Sequence, residues 1–493
     1  MADDLSQLLG AAARRGRILR DTLRDTVTVW HTVALALTLL YTVWLSVRTT
    51  RDHFGLGTSA YDFGLYDQGL WLLSRGQAPF VTLMGRNLFG DHSSFILLPL
   101  VPLYWFVDST GLLFVVQAVV LGAGALPVWK SARLLVGSLP MSCVAVVAYL
   151  FHPALTYTGL ENFHPDAALA PLIAWAIYAA LAHRWRQYAA AVVLILCVKE
   201  DTALFVVALG AWVTLRRDRR IGLVTVLGAV WVAVLMLFAV IRGIIGVPYR
   251  NEWRLPFGGF GGLLRTAVTR PDRVVRHLVS GERPSYLLQL LAPLGFLALL
   301  RPEIALLGTL PLLANLVSTF WYQSQIEYHY AVQFVPILVI GAFFGISRVA
   351  EHLRTWLASA VLVATLACAY AWTPLPFART QLPKWAPSHP AVTAAHDAMN
   401  EVPPDAVVSA YHTLTAHMAR RERVYVFPTP YRRVLYGADV FARSDRLSFA
   451  PEVRFVILPR ELDAEIESDW LSEQIFFRLV YGNDWWMVYE RLR

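Results

Sequence analysis

The chain has 493 residues, 56% of them hydrophobic, and a mean hydropathy of +0.48, more apolar than a soluble core requires. Its formal charge of +8 is carried almost wholly by arginine, since Lys130, Lys199 and Lys384 are the only lysines. The arginines cluster beside apolar segments rather than along one stripe, so they read as membrane topology and no nucleic-acid partner is expected.

Residues 1–25 carry Arg14, Arg15, Arg17 and Arg20 and read as a cytoplasmic N-terminal segment. The apolar stretch Thr26 to Val47 is long enough to span and lacks a small-residue cleavage site, so it is expected to stay as a signal anchor. It opens a transmembrane domain over 26–372. Residues 48–110 form a first outward loop with an aromatic amphipathic stretch, Tyr61 to Leu73. The loop also holds a short apolar run, Phe95 to Phe106, broken by Pro99 and Pro102, which suits an interfacial or re-entrant helix.

Further spans are expected at 111–130, 141–159, 167–182, 188–200, 202–215, 221–241, 284–300, 303–320, 331–347 and 355–372, about eleven with the first. The basic gaps then face the cytoplasm: Lys130 with Arg133, Arg184 with Arg186, Arg216, Arg217, Arg219 and Arg220, and Arg348 with Arg354. The opposite gaps hold acids and histidines: Asp62 and Asp67, Asp91 and His92, Glu161 with His164 and Asp166, Lys199 with Glu200 and Asp201, and Glu327 with His329. One outward-facing polar site built from several loops follows, and arginine in place of lysine with abundant Ala, Val and Leu points to a GC-rich bacterial genome and so to a bacterial plasma membrane. Segments 188–200 and 202–215 are short for a ~30 Å hydrocarbon core and meet at Lys199-Glu200-Asp201, so that turn is expected in a cavity below the outer surface. Cys143, Cys197 and Cys368 all lie in apolar runs and make no disulfide or metal pattern. Residues 242–283 form a second large outward loop, in which Gly258 to Gly262 reads as a flexible connection because no strand precedes it.

After Trp372 the composition changes. Pro374, Pro376, Pro383, Pro387 and Pro390 mark a linker into a small extracytoplasmic α/β domain, placed at 373–493. Helical patterns at His389 to Asn400 and Leu414 to Arg421 alternate with strand patterns at Ala406 to Ala410 and Val424 to Phe427. Phe455 to Leu458 and Leu479 to Tyr489 read as further strands. No phosphate-cradling glycine loop, nucleophile elbow or HExxH occurs there, so the domain is assigned no chemistry.

Tyr61-Asp62-Phe63-Gly64-Leu65-Tyr66-Asp67-Gln68 with Gly76, then Gly90-Asp91-His92, Phe163-His164-Pro165 and Lys199-Glu200-Asp201, resemble the domain-of-unknown-function 2079 family of bacterial membrane proteins over residues 30 to 370. That family in turn looks like the GT-C glycosyltransferases, relatives of the protein O-mannosyltransferases and aminoarabinose transferases. The resemblance implies a polytopic α-helical, GT-C-like fold. It also implies inverting transfer of a sugar from a polyprenyl-phosphate donor to an envelope glycan, lipid or protein acceptor on the outer face. An acid early in the first outward loop is then the base. Asp62, fourteen residues before Gly76, fits that place, and Asp67 is second. Phe63 follows Asp62, so the adjacent Asp-Glu pair of several GT-C branches is missing.

The residue types suit that chemistry in their own right. A carboxylate can take the proton of an attacking hydroxyl, while the leaving phosphate needs cationic or metal support. Asp62, Asp67 and Glu200 are the candidate catalytic acids. Candidate substrate-binding residues are Asp91, His92, Glu161, His164, Asp166, Lys199, Asp201, Arg250, Glu327, His329 and Tyr330, with Arg242 and Arg254 as further cations. A divalent ion, magnesium or manganese, on Asp62, Glu161 or Asp166 serves the same end, but spacing does not fix a ligand set. His164 among carboxylates also suits zinc, without a spacing signature.

Plainer roles compete. Asp62 and Asp166 suit helix caps, Asp91-His92 a turn, Lys199 to Asp201 an ion-paired turn, and Glu327, His329 and Tyr330 interfacial anchors. A transporter or flippase of a lipid-linked or polar substrate also uses buried charges and broken helices, and a non-catalytic envelope assembly protein needs none of them.

Overall fold

The computed structural model describes residues 29–246, 251–434, 436–437 and 446–492. The expected cytoplasmic segment 1–25 and Arg250 lie outside them. Among the described residues five helices are long and apolar enough to cross a membrane: Val29–Phe54, Leu112–Val136, Arg219–Ile245, His329–Ser347 and Glu351–Trp372. Leu139–Leu150 and Pro153–Leu160 make a sixth if their 45° bend is counted within one span. Pro153, which can donate no backbone hydrogen bond, opens the second half of that pair.

The remaining expected spans are shorter or broken. Pro165–Leu181, Trp185–Leu196 and Ala305–Val317 are apolar but less than a bilayer thick. The 284–300 segment yields only Arg283–Leu291 as regular helix, because Gly295 and Phe296 take φ of 56° and 59°, outside any right-handed helix. Helix His329–Ser347 is the most enclosed span, packing with Ala125–Val136, Leu139–Leu150 and Leu169–Leu181 into the main core. Its first residues therefore emerge among the loops rather than against lipid.

Those loops are ordered. In the first, Ser59 caps a π-type turn, Ala60–Gly64, that runs into helix Leu65–Ser74, and a short hairpin of β1 (Phe80–Val81) and β2 (Arg86–Asn87) follows. Phe95–Trp105 is a continuous 3-10 helix that holds both prolines inside it. In the second, the glycine run is not a loose connection: Gly259–Thr269 is helical from its second glycine onward, followed by helix Pro271–Leu278.

The C-terminal segment contains a five-stranded sheet built from β3 (Val408–Ala410), β4 (Val424–Val426), β5 (Phe455–Pro459), β6 (Phe477–Gly482) and β7 (Trp486–Arg491), in the order β4-β3-β5-β7-β6. β3 pairs in parallel with β4 and β5, while β7 is antiparallel to β5 and β6. The single strand expected over Leu479 to Tyr489 is thus a hairpin, and helix Ala464–Glu473 lies between β5 and β6. This sheet does not stand apart from the membrane part. Phe63, Leu70, Leu83 and Phe163 share one apolar core with Val392, Val408, Leu414 and Trp486. Edge strand β4 is stitched to the first loop by Thr82, whose hydroxyl donates to the Val424 carbonyl at 2.8 Å and accepts from its amide at 3.0 Å.

Candidate functional site

Residues from three places converge at the hairpin after Leu160. Glu161 turns toward the start of helix His329–Ser347, where one carboxylate oxygen accepts from the His329 amide at 2.7 Å and lies 3.2 Å from His329 Nδ1. The same oxygen is 3.9 Å from His164 Nδ1. The two imidazoles stack with centroids 3.7 Å apart. Asp62, held in the first turn after the Ser59 cap, brings its carboxylate to 3.6 Å from His164 Nε2 and accepts from Asn162 Nδ2 at 3.2 Å. Asn162 in turn accepts from the Ser59 amide at 2.9 Å, so hairpin and loop fix each other.

The charges follow from this packing. Burial alone pushes the His164 imidazole down, but the Glu161 and Asp62 carboxylates outweigh it and hold it up at about 9. Burial likewise pushes the Asp62 carboxyl up, and the hydrogen bond and charge of His164 bring it below its ordinary value. The Asp62 side chain keeps 41% of its surface exposed against 5% for His164: it is the member of the cluster a substrate can reach.

A cationic arm adjoins the histidines. The Tyr330 ring packs tilted against His329 with centroids 4.1 Å apart, Lys199 Nζ lies 5.2 Å from the Tyr330 ring centroid, and Arg254 donates to the Tyr330 hydroxyl at 3.5 Å. Lys199 is buried and pairs with Asp166 at 3.1 Å and with the half-exposed Asp201 at 3.7 Å. Asp166, Lys199, Asp201, Asn315, Gln323 and Tyr330 line a cleft beside the cluster.

Other expected site residues stand elsewhere. Asp67 is fully buried, bonded to Arg420 at 3.1 Å and to the Tyr104 hydroxyl at 2.8 Å; sealed from solvent, it is no candidate base. Glu200 accepts from Ser93 at 3.2 Å and pairs with His92 at 2.8 Å, so it ties the first loop to the Lys199 turn rather than facing the cleft. Asp91 pairs with Arg86 at 3.4 Å. Glu327 lines a separate cavity of about 310 Å³ that also touches Glu161 and Asn162. Arg250 lies outside the described residues. The helix caps assigned to Asp62 and Asp166 are not made: Ser59 caps the first turn, and the Asp166 side chain is engaged by Lys199.

The sequence reading passed over Gln117 and Asn162. Gln117 is buried in the apolar helix Leu112–Val136, accepts from the His164 amide at 2.9 Å and donates to the Asn162 carbonyl at 3.2 Å. A lone glutamine in an apolar run was its only signal.

Glu161, His164 and His329 each offer a ligand atom, all within 4.8 Å of one another. Two imidazoles and one carboxylate suit a borderline divalent ion such as zinc better than the all-oxygen set expected for magnesium. Of the oxygens proposed from sequence, only Glu161 belongs to this group, and Asp166 is occupied by Lys199.

A family model described as "Predicted membrane protein (DUF2079)" matches residues 52–491. The chain belongs to the DUF2079 family. No curated protein matches this DUF2079 member. Among solved structures its fold is similar to ArnT from Cupriavidus metallidurans bound to undecaprenyl phosphate, at 13% identity and TM-score 0.56, covering 94% of this chain and 98% of that one. The apo form of the same ArnT matches at 12% identity and TM-score 0.57, covering 95% and 98%. This DUF2079 protein therefore has the fold of a GT-C glycosyltransferase across transmembrane helices, first loop and C-terminal sheet together.

Proposed function

We propose that this DUF2079 protein is a GT-C-type glycosyltransferase that moves a sugar from a polyprenyl-phosphate donor to a hydroxyl-bearing acceptor of the cell envelope, on the outer face and with inversion. The observation that carries the reading is Asp62: a reachable carboxylate anchored on a buried histidine-carboxylate cluster, with a lysine-lined cleft alongside, in a chain that matches ArnT over nearly its whole length. That ArnT was captured with undecaprenyl phosphate, which supports a polyprenyl phosphate as the lipid here.

In this reaction Asp62 takes the acceptor hydroxyl proton as its oxygen attacks the anomeric carbon. The bond from that carbon to the phosphate oxygen breaks, and the electron pair leaves with the lipid phosphate. Lys199, with Arg254 and the Tyr330 hydroxyl on the same side, offsets the negative charge that grows on the phosphate. Glu161, His164 and His329 would hold a divalent ion, which when bound supplies further charge stabilisation to that phosphate. Asn162 keeps the Asp62 carboxylate aimed.

The test is transfer from radiolabelled polyprenyl-phosphate sugars to envelope acceptors by protein purified in nanodiscs. Asp62→Asn is expected to lower turnover by about 10² to 10⁴ while leaving thermal unfolding near wild type. Removal of bound metal by a chelator, followed by metal analysis of the protein, is expected to lower turnover and to show about one ion per chain in the untreated sample. Full turnover by a folded Asp62→Asn protein would overturn the assignment. No transfer from any donor, with substrate-dependent transport in sealed vesicles instead, would replace the enzyme with a transporter.

A further inference from the structure

The second loop holds two short helices whose outer faces nothing among the described residues covers. In Gly259–Thr269, Phe260, Leu264 and Val268 recur every four residues on one face and are 66%, 59% and 77% exposed. Leu263 and Ala267 flank that stripe, and Arg265, Thr266 and Thr269 fill the opposite face. In Pro271–Leu278, Val275 and the following Val279 are 58% and 60% exposed, but Asp272 and Arg276 share that outer face, so the continuous apolar stripe belongs to the first helix. The hairpin is held at one edge: His277 pairs with the Val317 carbonyl at 2.8 Å, and Arg283 donates to the Leu316 and Ser318 carbonyls at 2.6 and 2.8 Å.

Its charges are unevenly used. Arg276 is paired with Asp272, but Arg265, Arg270 and Arg273 are exposed and have no side-chain partner among the described residues. An apolar stripe bordered by unpaired arginines, on helices of eleven and eight residues, is too short to span and is the pattern of a segment lying in a bilayer interface. The loop follows Arg219–Ile245, a helix long and apolar enough to cross a membrane, so a bilayer edge lies within reach.

We propose that this hairpin is an in-plane anchor seated at the bilayer interface, with its aliphatic stripe among the acyl chains and Arg265, Arg270 and Arg273 on the phosphates of anionic phospholipids. Arg254, on the same loop, donates to Tyr330 at the cleft, so lipid seating of the hairpin positions one wall of the site. Any effect of lipid composition on the protein's activity would pass through that link.

The test uses the full chain, with Cys143, Cys197 and Cys368 replaced, in nanodiscs of phosphatidylglycerol or phosphatidylcholine. Nitroxide labels at Leu264→Cys and Val268→Cys are expected to meet dissolved oxygen more readily than an aqueous nickel chelate, and a label at Thr266→Cys the reverse. Labels at 264 and 268 that favour the nickel chelate would overturn the anchor, as would labels shielded from both, which would mean a protein partner or second copy covers the face. At low salt, the triple change Arg265→Gln, Arg270→Gln and Arg273→Gln is expected to reduce retention of fluorescent phosphatidylglycerol against phosphatidylcholine, by roughly five-fold for each arginine near the surface. Unchanged retention in the folded triple variant would remove the anionic preference.

Discussion

Asp62 and Asp67 stand five residues apart in the same loop and differ in everything but type. Asp62 reaches a histidine and water; Asp67 reaches Arg420, 353 residues further on, with no exposed surface. Burial pushes the Asp67 carboxyl up, and Arg420 offsets only part of that. Asp67→Ala would leave a buried guanidinium with Asp108, the Ser109 carbonyl and the Tyr104 ring but no buried counter-charge. Unfolding should fall by about 3 kcal/mol, with turnover per folded molecule unchanged, the opposite of the Asp62→Asn signature. Replacing Asp67 and Arg420 together by apolar residues should recover most of the loss. Spacing made the two acids equal candidates because the partner that separates them lies in the C-terminal segment.

His92 gives a pH-dependent case. Burial pushes its imidazole down, but Glu200 outweighs that and holds it above the ordinary 6.5. A raised histidine contributes its full stability below the unfolded value and loses it as pH rises through the folded one. The link between first loop and Lys199 turn should therefore weaken on the alkaline side of about pH 6.5. The melting temperature of wild type should fall there more steeply than that of His92→Gln; parallel curves would show the pair is not charged.

At the scale of elements, Ala203–Arg216 and Arg219–Leu235 form a helical hairpin whose turn is capped by Asp218, which accepts from the Ile221 amide at 2.9 Å. The helices approach so closely that a Cβ on Gly222 would overlap the Thr214 backbone nitrogen and hydroxyl. Gly222→Val should cost about 1 to 3 kcal/mol, read as a lower melting temperature and faster proteolysis at the arginine turn. The apolar runs and the arginine turn made this hairpin readable from sequence. The 284–300 segment was expected as a span because its composition is apolar throughout, and composition carries no sign of the positive φ at Gly295 and Phe296, which limits its regular α-helix to Arg283–Leu291. The glycine run at 258–262 was misread as a loop for the converse reason: glycine predicts freedom, yet the segment is helical from Gly259 to Thr269.

At the scale of the molecule, the C-terminal sheet and the first loop are one body, since Thr82 pairs with Val424 and both parts fill the same core. Ending the chain at Pro374 should do more than remove a covering domain. The spans should still insert, but Phe63, Leu70 and Asp67 would lose their partners, and limited proteolysis should cut within 60–90 only in the truncated chain. A first loop equally protected in both would show that it folds without the sheet. By itself the sequence determined a polytopic membrane protein, the loops that carry its polar residues, and, in the C-terminal segment, strands β3, β4 and β5 and the helix Pro390–Asn400, because hydropathy and periodicity are local properties of the chain. Only the tertiary structure decided that Asp62 joins His164, Glu161 and His329 while Asp67 and Glu200 serve as ties, because a buried charge takes its role from the partner that compensates it, and these partners come from loops remote in sequence.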